Sequence, residues 1–213
     1  MRSTPTRSRL TKRSNSMVEA TAVVVADTSV VINLNATGRA ADVLRALPFQ
    51  VVVTDIVVAE LQEDRRSGRS DSALLKELAR ASNIRVVSLG EEGMQVFGEL
   101  VVGPAADTLD DGEAATIAYA VEYEIDPVID ERKALRICAD RFPSLRPLCT
   151  VDLFAEASVV AALGLDNLTD AVFRALQEAR MRVPFERVPW VIDLIGTDRA
   201  ALCPSLPKAA RRR

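Results

Sequence analysis

Short apolar runs alternate with longer segments of helical periodicity between residues 22 and 163. Runs of consecutive valine and isoleucine, bounded by polar or turn residues, are typical of strands buried on both faces. Segments in which apolar side chains share one face, such as Leu74, Leu75 and Leu78, indicate amphipathic helices. The strands are predicted at 22–26, 50–54, 84–87, 127–130 and 148–151.

Helical segments separate these strands and continue beyond the last one. Thr28 or Ser29 is predicted to cap the first helix, and Gly38 to end it. Pro189 lies within the last segment, where a proline breaks or kinks a helix. Strands that alternate with helices predict an α/β fold, in which helices cover both faces of a parallel sheet. The helices are predicted at 30–37, 40–47, 56–66, 72–81, 91–102, 113–122, 133–140, 152–163, 169–182 and 184–195.

The 213 residues suit one domain with additional segments at its ends. We predict a domain at 21–163, a C-terminal helical extension at 164–197, and loose basic tails at 1–20 and 198–213. The first tail is rich in Ser, Thr and Arg. It is expected either to precede a translation start near Met17 or to be a transit peptide, although it lacks an amphipathic stripe.

Composition excludes several classes of chemistry. The chain contains no histidine, which removes Ser-His and Cys-His nucleophilic mechanisms. Its three cysteines are an odd number without paired spacing, so we expect reduced thiols, a cytoplasmic location and no zinc site. No apolar stretch approaches the roughly 20 residues that span a bilayer, and no membrane association is expected.

The net charge of −3 conceals an uneven distribution. Nine of the 27 basic residues lie in 1–13 and 208–213, which contain no acid. The remaining body therefore holds 18 basic residues against 30 acidic ones, a net charge near −12. A body of this charge is a poor general surface for nucleic acid but a suitable site for cations.

Carboxylates interrupt or end several core-type runs. Asp27 ends the first strand, and Asp130 and Glu131 close the fourth. Glu60 lies in the apolar run after the second strand, and Glu113 opens an apolar helix. A desolvated carboxylate is costly without a partner, and sites in open α/β sheets form beyond the carboxyl ends of the strands. We therefore expect these acids to converge on Mg²⁺ or Mn²⁺, which favours oxygen ligands and can polarise a phosphodiester.

Four motifs, in their order along the chain, resemble those of the PIN-domain family. They are Val24–Ser29, Val57–Leu61, Gly112–Ala120 and Val128–Lys133, and the resemblance covers about residues 22–160. The Gly-Glu-Ala form of the third motif is similar to a branch related to the toxin ribonucleases of VapBC-type toxin–antitoxin pairs. The resemblance implies a PIN-like three-layer sandwich with a parallel five-stranded sheet, and Mg²⁺- or Mn²⁺-dependent hydrolysis of RNA. It also implies a homodimer and a small antitoxin as candidate partners.

The resemblance assigns each motif a site residue. The fourth acid stays open, because alignment on Arg132 favours Glu131 whereas the end of the strand favours Asp130. The family usually places aspartate at the third and fourth positions, so Glu113 departs from its pattern. The implied catalytic and metal-binding residues are Asp27, Glu60, Glu113, and Asp130 or Glu131, with the hydroxyl of Ser29 or Thr28 holding a metal-bound water.

Simpler roles are open for several of these side chains. Glu60 is followed by further acids and fits a solvated helix face. Glu113 also fits a helix N-terminus, where the helix dipole favours negative charge. Arg132, Lys133 and Arg136 fit either phosphate contacts or an exposed helix face.

Other functions are distinguishable by residue pattern. A haloacid-dehalogenase-like phosphatase requires a second aspartate two residues after the first, where this chain has Ser29. A response-regulator receiver requires an acid pair on the first strand and a late lysine. The stronger alternative is a catalytically degenerate PIN fold that serves as a dimerisation or RNA-associated module.

Apolar stripes in the C-terminal helices, including Val159, Leu176 and Trp190, predict an interface, unless they pack onto the sheet and each other.

Overall fold

Residues 22–63 and 71–211 are described by the computed structural model of this chain. The predicted loose tail at 1–20 lies outside these residues, as do most of the predicted loop after Gly68 and the predicted end of the third helix at residue 66. The second predicted tail differs from expectation within its described part. Residues 197–201 and 208–211 are helical, and Cys203 and Leu206 are buried in the core.

Within the part of the chain that the structure describes, four parallel strands form the sheet: β1 (Val23–Ala26), β2 (Gln50–Thr54), β3 (Arg85–Val87) and β4 (Asp126–Val128). Their spatial order is β3-β2-β1-β4, so the chain builds outward from β1 in one direction and then returns to its other side. In the register, Val25 lies opposite Val52 of β2 and Pro127 of β4. The carboxyl ends of β1 and β4 therefore meet where the strand order reverses, the usual place for a site in an open α/β sheet.

The predicted fifth strand is wrong for the described residues. Leu148 makes a single parallel bridge to Val128, and its amide donates to the carbonyl of Pro127 at 2.9 Å. The chain then turns into a helix because Asp152 Oδ2 accepts from both the amide and the thiol of Cys149, at 2.9 and 3.1 Å. This capping arrangement removes Cys149 and the residues after it from strand pairing.

Eleven α-helices surround the sheet in the described ranges. None of them combines the length and the apolar character that crossing a membrane would require. Short 3₁₀ segments at Phe185–Arg187 and Lys208–Arg211 accompany them. The α-helices are α1 (Thr28–Ala36), α2 (Ala40–Ala46), α3 (Asp55–Glu63), α4 (Asp71–Arg80), α5 (Glu91–Val101), α6 (Asp111–Tyr123), α7 (Arg132–Arg141), α8 (Thr150–Ala155), α9 (Ala157–Glu178), α10 (Val188–Ile195) and α11 (Thr197–Ala201).

The start of α1 differs from the sequence prediction in a way that shapes the site. Asp27, rather than Thr28 or Ser29, is the N-cap, because its side chain accepts a hydrogen bond from the amide of Val30. The end of the helix agrees with expectation: it stops at Ala36, and Gly38 adopts a positive φ of 68°.

The C-terminal helices are divided differently from the prediction. The predicted helix 152–163 is divided between α8 and the start of α9, and α9 continues through most of the predicted helix 169–182 as far as Glu178. α9 is interrupted at Gly164, where φ is 72° and ψ is 160°. Pro189 neither breaks nor kinks α10, because it lies in the first turn of the helix, where the missing amide hydrogen has no intrahelical partner to lose.

Apolar stripes of the C-terminal helices are part of the core. Val159, Leu176 and Val191 are fully buried, and they belong to the same cluster as Val24 and Val51 of the sheet. Trp190 packs half-buried against this cluster. The stripes therefore pack onto the sheet and each other, and they no longer support an interface. On the other face of the sheet, side chains of β1 and β2 pack against α6.

Candidate active site

The candidate site lies beyond the carboxyl ends of β1 and β4. Asp27 directly follows β1, and its amide donates to the carbonyl of Val128 at 3.2 Å, which ties the two strand ends together. Asp130 follows β4 by two residues and is 4% exposed. The N-terminus of α6, with Glu113 in its first turn, completes the edge.

Asp27 is the most deeply buried acid of the site, with 1% of its surface exposed. Its Oδ1 accepts from the hydroxyl of Ser29 at 2.9 Å and the amide of Val30 at 2.8 Å. No described residue donates to its Oδ2. Burial, together with the nearby charges of Asp130 and Glu113, raises the pKa of Asp27 to about 8, although its two hydrogen bonds act in the opposite direction. This carboxyl therefore needs either a proton or a cation at neutral pH.

Asp130 is held by three hydrogen bonds. Its Oδ2 accepts from Asn33 Nδ2 at 2.7 Å and from Thr150 Oγ1 at 2.5 Å, and its Oδ1 accepts from the amide of Thr150 at 2.8 Å. Burial still raises its pKa, although these hydrogen bonds act in the opposite direction. Asp130 is consequently oriented by α1 and α8, and most of its lone pairs are already in use.

Glu113 is half-buried and carries a second perturbed carboxyl. Burial raises its pKa to about 7, with contributions from the charges of Asp110 and Glu131. The amide of Asp110 hydrogen-bonds to it, and Lys133 is close enough to lower its pKa slightly. Glu113 thus helps to cap α6 while it faces the other acids, so the helix-terminal role and a role in the site are compatible.

Glu60 reaches the same edge from α3. Its Oε2 accepts a hydrogen bond from Thr28 Oγ1 at 2.6 Å, so the two hydroxyls after β1 serve different acids. Gly112 makes this close approach possible. A Cβ on residue 112 would lie 2.2 Å from Glu60 Oε2 and 2.4 Å from Thr28 Oγ1. Glu60 therefore faces the start of α6 instead of open solvent.

Glu131 is turned towards the C-terminal segment. Its Oε2 forms an ion pair with Nη1 of Arg182, which follows α9. Its side chain is 30% exposed, against 59% for that of Arg182. Glu131 acts on the site through charge, because it contributes to the raised pKa of Glu113.

Not all of the predicted ligands are available together. The charges of Asp130 and Glu113 both raise the pKa of Asp27, whereas Glu60 is bound to Thr28 and Glu131 is paired with Arg182. Within residues 22–63 and 71–211, no group of three or more acidic or cysteine side chains has the spacing of a complete metal site. The donor chemistry nevertheless fits a hard divalent cation. The oxygens are carboxylates, Asp27 Oδ2 has no hydrogen bond from the described residues, and the raised pKa values mean that a cation can replace protons.

Four residues of the site escaped the sequence prediction. Asn33 is a polar residue within the apolar stretch of α1, which was a detectable signal. Thr150 lies within 148–151, where a fifth strand was predicted instead of a helix start. Gly112 was part of a motif but had no role, and Arg182 gave no signal, because its partner is 51 positions away in the sequence.

A parallel sheet with this strand order, and acids gathered where the order reverses, define an α/β protein with an acidic edge site. A family model described as a PIN domain matches residues 23–196, and the chain belongs to that family. The resemblance in the sequence motifs is thereby confirmed.

No curated protein matches the chain in sequence. A solved structure of VapBC2 from Rickettsia felis, bound to a DNA fragment from their promoter, contains a similar chain. The two share 15% identity over 60% of this chain and 98% of that one, with a TM-score of 0.41.

Proposed function

We propose that this protein is a metal-dependent ribonuclease that hydrolyses RNA phosphodiester bonds. The observation that carries the proposal is Asp27, a buried carboxyl with an Oδ2 that accepts no described hydrogen bond and a pKa of about 8. A buried carboxyl with a raised pKa beside two further acids favours the binding of a cation. Membership of the PIN-domain family supports nuclease chemistry and RNA as the substrate class.

In this proposal Asp27 and Glu113 hold Mg²⁺ or Mn²⁺, because their carboxyls gain most from a positive charge. Asp130 contributes its remaining lone pair and keeps its orientation through Thr150 and Asn33. When bound, the metal supplies polarisation of the phosphodiester and activation of a water. Ser29 is already hydrogen-bonded to Asp27 Oδ1, where its hydroxyl can orient a water near that carboxylate.

Glu60 and Glu131 have secondary roles in this proposal. Glu60 fixes Thr28 and the approach of α6, and thereby positions Glu113. Glu131 adds negative charge near Glu113, while Arg182 neutralises part of it. The assignment of Asp130 as the fourth acid rests on its burial beside Asp27, in contrast to the ion-paired Glu131.

The deciding experiment measures cleavage of a labelled single-stranded RNA with Mn²⁺ and with EDTA. Asp27→Asn retains the shape and the helix-capping oxygen but removes the charge, and it should abolish the Mn²⁺-dependent cleavage. Glu113→Gln should do the same. Asp193→Asn, an exposed acid on α10, is the matched control and should cleave as wild type does. Equal cleavage by Asp27→Asn and wild type would contradict the proposal.

A second candidate, the catalytically degenerate PIN fold, is favoured by one set of contacts. Asp130 already accepts three hydrogen bonds, and Glu131 is bound to Arg182. In that case the protein binds RNA or a partner without cleaving it. Wild-type protein that binds RNA but shows no cleavage and no thermal shift with Mn²⁺ would favour this candidate.

We also propose a self-complementary or antitoxin-binding surface at the α5–α6 pair. Met94 and Tyr123 are about half exposed, and the amide of Gly90 donates to Glu122 Oε2 at 2.9 Å, which brings the start of α5 to the end of α6. Exposed apolar groups at one end of a helix pair suit an interface. Light scattering of wild type and Tyr123→Glu tests it: a monomeric wild type, alone and with a co-expressed small neighbour protein, would exclude the interface.

A further inference from the structure

A cleft of about 630 Å³ opens beside Asp130, between the start of α7 and the segment that follows α9. We call it the Phe185 cleft; its lining includes Asp130, Arg132, Arg182, Phe185 and Glu186. We propose that this cleft binds one unpaired nucleotide next to the scissile phosphate of single-stranded RNA, with Phe185 stacking on the base and Arg132 contacting a phosphate. The inference rests on the proposed ribonuclease function and adds the recognition of unpaired RNA by the C-terminal extension.

Arg132 is the basic residue at the start of α7 that is available for a phosphate. Three basic residues occupy α7 near the site, but Lys133 Nζ donates to the carbonyl of Ala105, and Arg136 Nη2 donates to that of Ala106. Arg132 forms neither a hydrogen bond nor an ion pair with the described residues. It is exposed at the first position of α7, where the helix dipole disfavours a positive charge. Its charge does not stabilise the helix and is free for an anion.

Phe185 supplies an aromatic face at the same cleft. It is 77% exposed and packs in none of the apolar clusters of the described residues. Pro184 precedes it with a fixed φ of −55°, and Phe185 begins a 3₁₀ turn that leads into α10, so its backbone is well constrained. An exposed ring on a constrained backbone loses little backbone freedom when a base stacks on it, and such stacking is tolerant of sequence.

Arg182 joins this segment to the acidic site. Its Nη1 pairs with Glu131, which directly precedes Arg132 in the chain. The ion pair holds residues 182–185 next to Asp130 and leaves further donors of the guanidinium for a ligand. A ligand in the Phe185 cleft is therefore adjacent to the candidate catalytic carboxylates.

The charge and size of the cleft favour one nucleotide over a long stretch of backbone. Asp130 and Glu186 also line it, so it is not uniformly basic and does not suit a long stretch of phosphate backbone. Its volume lies within the roughly 300–1,000 Å³ typical of sites for small ligands. Because bases in a duplex are stacked and paired, an exposed ring in such a cleft selects unpaired RNA.

The test measures binding of a fluorescent single-stranded RNA to the full-length protein in EDTA, by anisotropy over a range of salt concentrations. Phe185→Ala should weaken binding by roughly 5- to 100-fold, while Phe185→Tyr should bind as wild type does. Arg132→Gln should lower the slope of log K against log salt by about 0.7, the value for one phosphate contact on a single strand. An abasic site at one position should weaken wild type but not Phe185→Ala.

Matched controls lie elsewhere on the protein. Arg146→Gln changes an exposed arginine whose amide binds Asp126, at the opposite end of β4. Leu165→Ala removes an exposed apolar side chain, 65% exposed, on α9. Both should leave binding and the salt slope unchanged. Cleavage in Mn²⁺ should show a raised KM for Phe185→Ala with little change in kcat.

The outcomes separate this inference from the proposed function. Wild-type binding and cleavage by both Phe185→Ala and Arg132→Gln would overturn the subsite and leave the nuclease intact. Weakened binding by these variants without cleavage by any form would support the subsite and contradict the nuclease. Absence of binding to single-stranded RNA, or tighter binding to single-stranded DNA or duplex RNA, would overturn the assignment.

Discussion

Asp27 and Asp130 lie side by side at the ends of neighbouring strands, and the charge of Asp130 is the largest electrostatic cause, after burial, of the raised pKa of Asp27. The two carboxyls are bound differently. Asp130 accepts three hydrogen bonds, whereas Asp27 accepts two at one oxygen and none from the described residues at the other. Asp130 is thus oriented by the protein, whereas the second oxygen of Asp27 is available to a proton or a cation.

This relationship predicts the pH dependence of stability in the absence of metal. The folded-state pKa of Asp27 is about 8, above its ordinary value of 3.8, so the native state binds more protons between these values. The stability of wild type in EDTA should therefore be highest near pH 4 to 5 and fall as pH rises to about 8. Melting temperatures across this range measure it, and Asp27→Asn should flatten much of the decline. An equally steep decline in Asp27→Asn would assign the effect to other groups.

Metal binding should reverse this decline. A cation that binds only the folded state stabilises it by about 2.7 kcal/mol at a concentration 100 times its Kd. Millimolar Mn²⁺ should raise the melting temperature of wild type, and more so at pH 8 than at pH 6, because protons compete for the same carboxyls. The comparison is made by thermal melting with Mn²⁺ and EDTA. An identical shift in Asp27→Asn would place the metal elsewhere.

The close approach of Glu60 and Thr28 to Gly112 predicts that any larger side chain at residue 112 disturbs the site. Gly112→Ala adds a Cβ within 2.4 Å of both Glu60 Oε2 and Thr28 Oγ1, so α6 or Glu60 must move. We expect loss of most Mn²⁺-dependent cleavage and destabilisation of about 1–3 kcal/mol, a cost typical of overpacking. Gly98→Ala on α5 is the matched control, because a Cβ there meets nothing within 4 Å. It should be neutral or stabilise by up to about 1 kcal/mol, as measured by urea unfolding.

Thr150 should matter for both stability and site geometry. Thr150→Val retains the shape but removes the hydroxyl that donates to Asp130 at 2.5 Å, in a fully buried position. Loss of this donor to a buried carboxyl should destabilise the fold by about 1–3 kcal/mol and weaken cleavage. Thr169→Val is the control, because its half-buried hydroxyl donates to the carbonyl of Leu194 far from the site. Equal losses of stability and cleavage in the two variants would contradict a role of Thr150 in orienting Asp130.

Much of the fold was predictable from local pattern. Four of the five expected strands and the helices between them were recognised, because runs such as Val51–Val53 have only one stable environment, between two layers of helix. The fifth expected strand is absent from the described residues, since the choice between strand and helix after Leu148 depends on hydrogen bonds from Cys149 to Asp152. The sequence also predicts the apolar stripes of α9 and α10, but it leaves open whether they form an interface or pack onto the sheet and each other.

The sequence by itself determined which acids stand at the ends of buried strands and near the start of α6, because chain order and hydrophobic runs place them there. Tertiary structure alone decided which carboxyl oxygens remain available. Hydrogen bonds from Asn33 and Thr150 occupy most of the lone pairs of Asp130. Arg182 forms an ion pair with Glu131, and Thr28 donates a hydrogen bond to Glu60. These partners come from elements distant in sequence, and desolvation depends on all of them together. No local pattern therefore encodes the raised pKa of Asp27, which distinguishes a cation site from an acidic helix cap.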